Sequence, residues 1–347
     1  MSDHRTLRVI QWATGNIGTR SLRAVIEHPE MELVGLWVHS PDKTGLDAGT
    51  LCGLAETGVI ATNDIAAIIA TPADCVLHMQ QGTDIDMLCA LLASGKNVVT
   101  TRGDFYHPRT MAADVRAKVD AACAQGNSSI YSTGSSPGFS TEALTIPLVS
   151  MSRRLDCLTI DEFADLSSRN SPNLLFNVMG FGAPMGEFDQ GRTEHVQSDF
   201  ATSLAQVADE MNIAIDEWHG HGEFTAAAHD VQIAAGLVNA GTVAGQRITV
   251  EGRVAGVARL RFRANWYVTH NVEATDWRLC ETGWRISVEG DTPMEVTIGF
   301  PVTPEEFPNI SPGFTAHRAV NAVKVLCAAQ PGIRTTMDLP HIVANFQ

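Results

Sequence analysis

The 347-residue chain is poor in positive charge: 24 lysines and arginines stand against 39 aspartates and glutamates, for a formal net charge of −15. That deficit argues against a nucleic-acid binder and against attachment to an anionic membrane surface. No apolar run approaches the roughly 20 residues that span a bilayer. The first residues lack the apolar stretch and small-residue cleavage pattern of a secretion signal, so a cytoplasmic protein is expected. Cysteine offers no disulfide framework. The seven cysteines, at 52, 75, 89, 123, 157, 280 and 327, are odd in number and scattered, several of them inside apolar runs. Buried free thiols in a reducing compartment are expected. Internal repeats and low-complexity segments are also missing. What remains is 44% hydrophobic and 18% charged, enough for a large core, and the length suggests two domains.

Short apolar runs and helical patterns alternate over the first 135 residues. Strands are expected at 7–12, 33–38, 75–79, 97–101 and 129–133, with helices at 21–28, 64–70, 84–95 and 111–127 between them. Strands joined by helices imply a parallel sheet with right-handed crossovers. After "GSSPGFSTEAL" the texture changes. A strand is expected at 155–165 and a helix at 202–213. Long β stretches then run from Gly222 to Phe300, and a closing helix is expected over 313–332 with Ala316, Ala319, Val320 and Val323 on one side. The fold class is therefore α/β, a Rossmann-type doubly wound parallel sheet followed by an α+β domain on a mixed or antiparallel sheet. The expected division is 1–140 for the dinucleotide-binding domain, 141–310 for the substrate and dimerisation domain, and 311–347 for a helix and tail returning to the first.

The stretch "QWATGNIG" (11–18) follows the first strand. Gly15 and Gly18 take the second and third positions of a G-x-G-x-x-G fingerprint, one for approach of a pyrophosphate and one for helix–strand packing. Ala13 holds the first position, which demands only a tight turn, and alanine is tolerable there if φ stays negative. Ala13, Thr14, Gly15, Asn16, Ile17 and Gly18 are thus the candidate phosphate cradle at a helix N-terminus. The second strand ends in His39-Ser40 with Lys43 close behind, and no carboxylate stands at its end to accept from a ribose 2′-hydroxyl. A hydroxyl and an ammonium suit a 2′-phosphate, so NADP(H) is expected in preference to NAD(H); the other reading makes 40–43 a solvated turn.

With "HSPDKTG", "AGTLCGL", "SPGF" and "TAHRAVNAV" added to the glycine turn, the chain resembles proteins with a dihydrodipicolinate-reductase-type N-terminal domain. Within them it is most similar to the subgroup of 2,4-diaminopentanoate dehydrogenase and the native amine dehydrogenases. The resemblance extends over nearly the whole length. It implies a Rossmann domain, an inserted α/β domain with dimer and substrate surfaces, an active site in the cleft between them, and a homodimer. The paired-histidine, lysine and Gly-Thr run of a lysine-pathway reductase is missing. So is the glutamate that native amine dehydrogenases carry after the strand equivalent to "NVVTT", which is followed here by "RGDFYHP". Gly103 or Asp104 falls at its place.

Reductive amination needs a carboxylate to hold ammonium, take its proton and stabilise an iminium cation, and a partly apolar pocket would suit it. Asp104 is the candidate; its other reading is a surface or capping aspartate. Tyr106 and His107, in the same loop, could instead donate to a carbonyl oxygen. His78 is either a ribose or nicotinamide contact or a satisfied interior histidine. Gly138 lies where backbone would pass close to the nicotinamide, or in a hinge loop. Asn321 is a candidate partner for the carboxamide, and His317 lies one helical turn before it. Asn170, Asn173, Phe176 and Asn177 mix amides with apolar residues as substrate pockets do, or form a core helix with a polar cap. No metal is expected: the nearest set, His219, His221 and Glu223, has glycines between its members and no fourth ligand. The expected activity is NAD(P)H-dependent amination of a small aldehyde or ketone with ammonia. Its alternatives are a carbonyl or cyclic-imine reductase and a non-catalytic NADP(H) sensor.

Overall fold

The computed structural model describes residues 5–303 and 305–345. The chain divides into two compact units, 1–139 with 308–347, and 140–307. The first opens with β1 (Leu7–Trp12), α1 (Asn16–Ile26), β2 (Met31–Trp37), α2 (Ala48–Cys52), α3 (Ile65–Ala70), β3 (Cys75–His78), α4 (Ile85–Ala93), β4 (Asn97–Thr100), α5 (Ala113–Gly126) and β5 (Ser129–Ser132). Asp64 and Asp84 cap α3 and α4 by accepting from the amides of Ala67 and Met87, contacts each worth about 1 kcal/mol. Asn127, at φ +50°, closes α5 in the left-handed conformation that asparagine tolerates. The helix after β1 begins at Asn16 rather than Ser21, because the glycine turn leads straight into it.

The second unit holds α6 (Thr145–Val149), β6 (Leu155–Asp165), α7 (Gln190–Glu210), β7 (Glu217–Ala226), β8 (Val231–Ile233), β9 (Gly236–Val238), β10 (Val243–Val254), β11 (Val257–Tyr267), β12 (Gly283–Gly290) and β13 (Met294–Gly299). Helix α7 starts twelve residues before the expected 202, capped by Asp189 on the Gly191 amide; its polar first half carries little apolar periodicity. Strand β10 turns into β11 through Ala255 and Gly256, both at positive φ, the pattern of a two-residue type I′ hairpin. The six-stranded sheet runs β13-β12-β6-β11-β10-β7 and is mixed, since β6 and β11 are parallel and their other neighbours antiparallel. Leu158, Ile160, Ile248, Val250, Phe262 and Ile286 bury one face against α7 residues Val196, Leu204 and Val207. The opposite face carries Asp161, Arg247, Thr249, Glu251, Arg261, Arg263 and Asn265. Arg263 grips Asp161 with two bonds of 2.6 Å.

The chain then returns with α8 (Phe307–Cys327) and β14 (Gly332–Arg334) to complete the first sheet. Its order is β14-β5-β4-β3-β1-β2, with every pairing parallel. Strand β14 is only three residues long and has no alternation by which to recognise it. Helix α8 begins six residues before the expected 313 and carries Pro312 inside it. Ala319, Val320 and Val323 share a buried cluster with Leu22 and Val25 of α1, and Ala316 is buried as well, as their spacing predicts. Among the described residues no helix is long and apolar enough to cross a membrane, and the seven cysteines are free thiols.

Candidate functional site

The carboxyl ends of the parallel strands form one row of paired residues: Trp37, Trp12, His78, Thr100 and Ser132. In open α/β sheets, ligands bind at this edge. The Trp12 and Trp37 rings stack at 4.3 Å, and the His78 ring lies 6.1 Å from Trp12.

Ala13 follows directly and has φ +72°. The condition of a negative φ is therefore not met. The turn needs the left-handed conformation, and alanine adopts it because its neighbours fix the backbone. Its amide donates to Trp37 O at 2.9 Å. Its carbonyl accepts from Gln11 Nε2 at 2.9 Å. Gln11 is fully buried and also accepts from the Ser21 hydroxyl of α1. A Cβ on Gly18 would stand 2.2 Å from the same carbonyl, so only glycine fits there. Sequence reasoning missed Gln11; its signal is a lone amide inside the apolar run "LRVIQW".

Gly15 caps α1 with φ −72° and offers no side chain to the helix amides. Neither its φ nor internal crowding demands glycine, since an added Cβ would meet nothing within 4 Å. The bare space over an uncapped helix N-terminus fits a diphosphate. Thr14 is buried, Asn16 is exposed, and Ile17 packs on the core. Lys43 reaches back to the turn, its ammonium 3.1 Å from both Thr14 O and Thr14 Oγ1. His39 is exposed and Ser40 half-buried. The residues present therefore fit a dinucleotide: Gly15 and the α1 amides would hold its diphosphate, and the nicotinamide would supply or accept a hydride.

His78 is fully buried, its Nδ1 3.1 Å from Thr100 Oγ1 and its Nε2 without a hydrogen-bond partner among the described residues. Burial, with the Arg102 charge added, pushes its pKa down to about 4, so the ring is neutral near pH 7. Asp104 lies in a single helical turn, Gly103–Phe105, after β4. Its Oδ2 accepts from the Thr83 hydroxyl at 2.7 Å and lies 3.6 Å from Arg102 Nε. At 45% exposure the side chain is not in the partly apolar pocket expected of it. Arg102 is the neighbour that sequence reasoning missed. Tyr106 is buried and its hydroxyl donates to Pro137 O at 3.0 Å; His107 is buried beside it. Gly138 has φ +117°, and a Cβ there would press on Thr133. Thr315 of α8 pins the same loop, its hydroxyl 2.8 Å from Ser135 Oγ. Asn321 is half-buried on α8. Partial burial and the nearby Arg20 push the His317 pKa down.

In the second unit Asn170, Asn173 and Asn177 are exposed, and Asn177 Nδ2 donates to Asn173 Oδ1 at 3.0 Å. Leu175 is buried and Phe176 packs against its cluster, with the three asparagines on the exposed side of the segment. His219 and His221 lie 5.6 Å apart on β7, while Glu223 faces Arg247 at 3.7 Å. Asp165, His270 and Glu281, which no sequence spacing links, bring their polar atoms within 4.8 Å of one another.

Residues 139–347 match the family of the 2,4-diaminopentanoate dehydrogenase C-terminal domain, and residues 9–105 match the dihydrodipicolinate reductase N-terminus. The chain belongs to the 2,4-diaminopentanoate dehydrogenase family. It is 28% identical over 353 residues to an amine dehydrogenase of Streptomyces virginiae, covering 96% of each chain. A 4-hydroxy-tetrahydrodipicolinate reductase of Synechococcus elongatus is 30% identical over 111 residues, 32% of this chain and 33% of that one. Among solved structures, an amine dehydrogenase from Mycobacterium smegmatis shares the fold, with a TM-score of 0.73 at 18% identity and 99% of each chain covered. This family member is an NAD(P)-dependent oxidoreductase.

Proposed function

We propose that this chain is an NADP(H)-preferring amine dehydrogenase that converts a small aldehyde or ketone to a primary amine with ammonia. The observation that carries the reading is the near-full-length likeness to the Streptomyces virginiae amine dehydrogenase. The Lys43 ammonium beside Thr14, with Ser40 close in the chain, supports the 2′-phosphate preference. When bound, the nicotinamide supplies the hydride.

The chain's own part is proton handling and positioning. Asp104 takes the role of the ammonium-holding carboxylate. One oxygen is already fixed by Thr83, so the other is directed to substrate. Asp104 accepts a proton from ammonium, and the ammonia so formed adds to the carbonyl carbon to give a carbinolamine. Asp104 returns that proton to the departing hydroxyl, and loss of water leaves an iminium cation that the regenerated carboxylate stabilises. His78, neutral and buried, holds the middle of the strand-end row without adding charge. Tyr106, already donating to Pro137, positions the loop ahead of Gly138, which leaves it poorly placed as a proton donor to a ketone. Asn321 and His317 serve the nicotinamide side, and the Asn170–Asn177 segment the substrate. A homodimer through the charged face of the second sheet completes the proposal; the part-exposed Arg261 and Arg263, paired with Glu251 and Asp161, would meet a second copy there.

The test is NADPH oxidation with cyclohexanone, with and without ammonium. Turnover that requires ammonium and yields cyclohexylamine supports the reading. Equal turnover without ammonium assigns the chain to the carbonyl reductases instead. Tight NADPH binding with no turnover across carbonyl and imine panels assigns it to the sensors.

A further inference from the structure

One strand-end residue is left with an unexplained polar group. Trp37, the last residue of β2, is 6% exposed, and its indole Nε1 has no hydrogen-bond partner among the described residues. Its stacking partner Trp12 is different: that Nε1 donates to Gln80 Oε1 at 2.8 Å. A buried donor without a partner is costly, and native proteins rarely leave one without reason. An indole N–H can only donate, so the missing partner is an acceptor, and an anionic oxygen satisfies it best.

The surroundings identify which anion. Trp37 O accepts from the amide of Ala13 in the glycine turn. The next residues of the chain lead through His39 and Ser40 to Lys43, whose ammonium returns to Thr14 of the same turn. The His39 ring lies 6.1 Å from that of Trp37. The spare indole donor thus sits at the end of the second strand, with a hydroxyl and an ammonium following it in the chain, and this strand end is where a dinucleotide's adenosine ribose is read. We infer that Trp37 Nε1 donates to the 2′-phosphate of NADP(H), and that the Trp12–Trp37 stack fixes the direction of that donor. The inference rests on the dinucleotide reading of the glycine turn and goes beyond it by assigning a specificity-determining residue.

The test uses the full chain and two probes, 2′,5′-ADP and 5′-AMP, which share the adenosine and differ in the 2′-phosphate. Trp37→Phe keeps the stack and removes the N–H. Calorimetric titration is expected to show 2′,5′-ADP weakened about tenfold and 5′-AMP unchanged. The nucleotide-free variant is expected to melt no lower than the native chain, because the orphaned donor is gone. In the native protein, the Trp37 indole N–H resonance is expected to move downfield with 2′,5′-ADP and to stay with 5′-AMP. Equal weakening of both probes, an unmoved resonance, or unchanged 2′,5′-ADP affinity overturns the assignment while leaving the dinucleotide reading intact. Failure of the native chain to bind either probe overturns both.

Discussion

The Lys43 ammonium stands 3.1 Å from both the carbonyl and the hydroxyl oxygen of Thr14, bridging the loop after β2 to the glycine turn. A cation so placed favours whichever cofactor carries charge there. Lys43→Ala is expected to weaken NADPH binding about tenfold or more, as loss of one charge-assisted contact would, and to leave NADH nearly unchanged. Paired binding titrations check this. Equal losses for both nucleotides would remove the lysine from cofactor choice.

The strained turn makes a stability prediction. Ala13 at φ +72° occupies a region that L-residues enter at a cost and glycine does not. Ala13→Gly is expected to stabilise the protein by about 1 kcal/mol, the relief of strain exceeding the added freedom of the unfolded chain. Urea unfolding should show a higher midpoint at an unchanged slope. Gln11→Leu, which removes the amide from the Ala13 carbonyl and the Ser21 hydroxyl, should move the midpoint down.

His78 gives the pH dependence. Its pKa falls from 6.5 to about 4 on folding, chiefly through burial and then through Arg102. The unfolded chain therefore binds a proton that the folded chain refuses. The stability held above pH 6.5 is lost as the pH falls towards 4, by about 3 kcal/mol in all. In His78→Gln the same acid titration of the urea midpoint should be flatter across that window. A curve as steep as the native one would assign the acid sensitivity to other groups.

Asp104 is exposed, so replacing it should change chemistry more than folding. Asp104→Asn is expected to lower ammonia-dependent turnover by about a hundredfold or more, the usual worth of a positioned acid–base group, with the melting temperature unchanged. Steady-state rates against ammonium concentration check it. An unaltered rate would remove the carboxylate from the proposed proton transfer.

The sequence was most informative where local pattern and burial agree. Strand β6 spans the expected 155–165 because its apolar run is bounded by turn residues. Strands β3, β4 and β5 end within one residue of expectation, since fully buried parallel strands read as short apolar blocks. The glycine turn was legible because strand, turn and helix follow one another in the chain. Contacts made by folding over long sequence distances were not. Gln11 on Ser21, Thr315 on Ser135, Lys43 on Thr14, and the orphaned Trp37 donor beside a satisfied Trp12 all depend on which residues the sheet aligns. Arg102 beside Asp104 was adjacent in sequence, yet the open, charged setting of the pair emerged only from the exposure of the loop. The positive φ of Ala13 was not legible either, because it depends on the partners of its amide and carbonyl, Trp37 O and Gln11 Nε2.

Gly15 offers the most direct test of the whole account. Its φ is one any residue adopts, and an added Cβ meets no protein atom within 4 Å, so Gly15→Val should fold and melt as the native chain does. If the start of α1 receives the diphosphate, the valine occupies its place, and titration with NADPH should show binding lost by about a hundredfold or more, well beyond the worth of a single hydrogen bond. Native-like NADPH affinity in that variant would contradict the account.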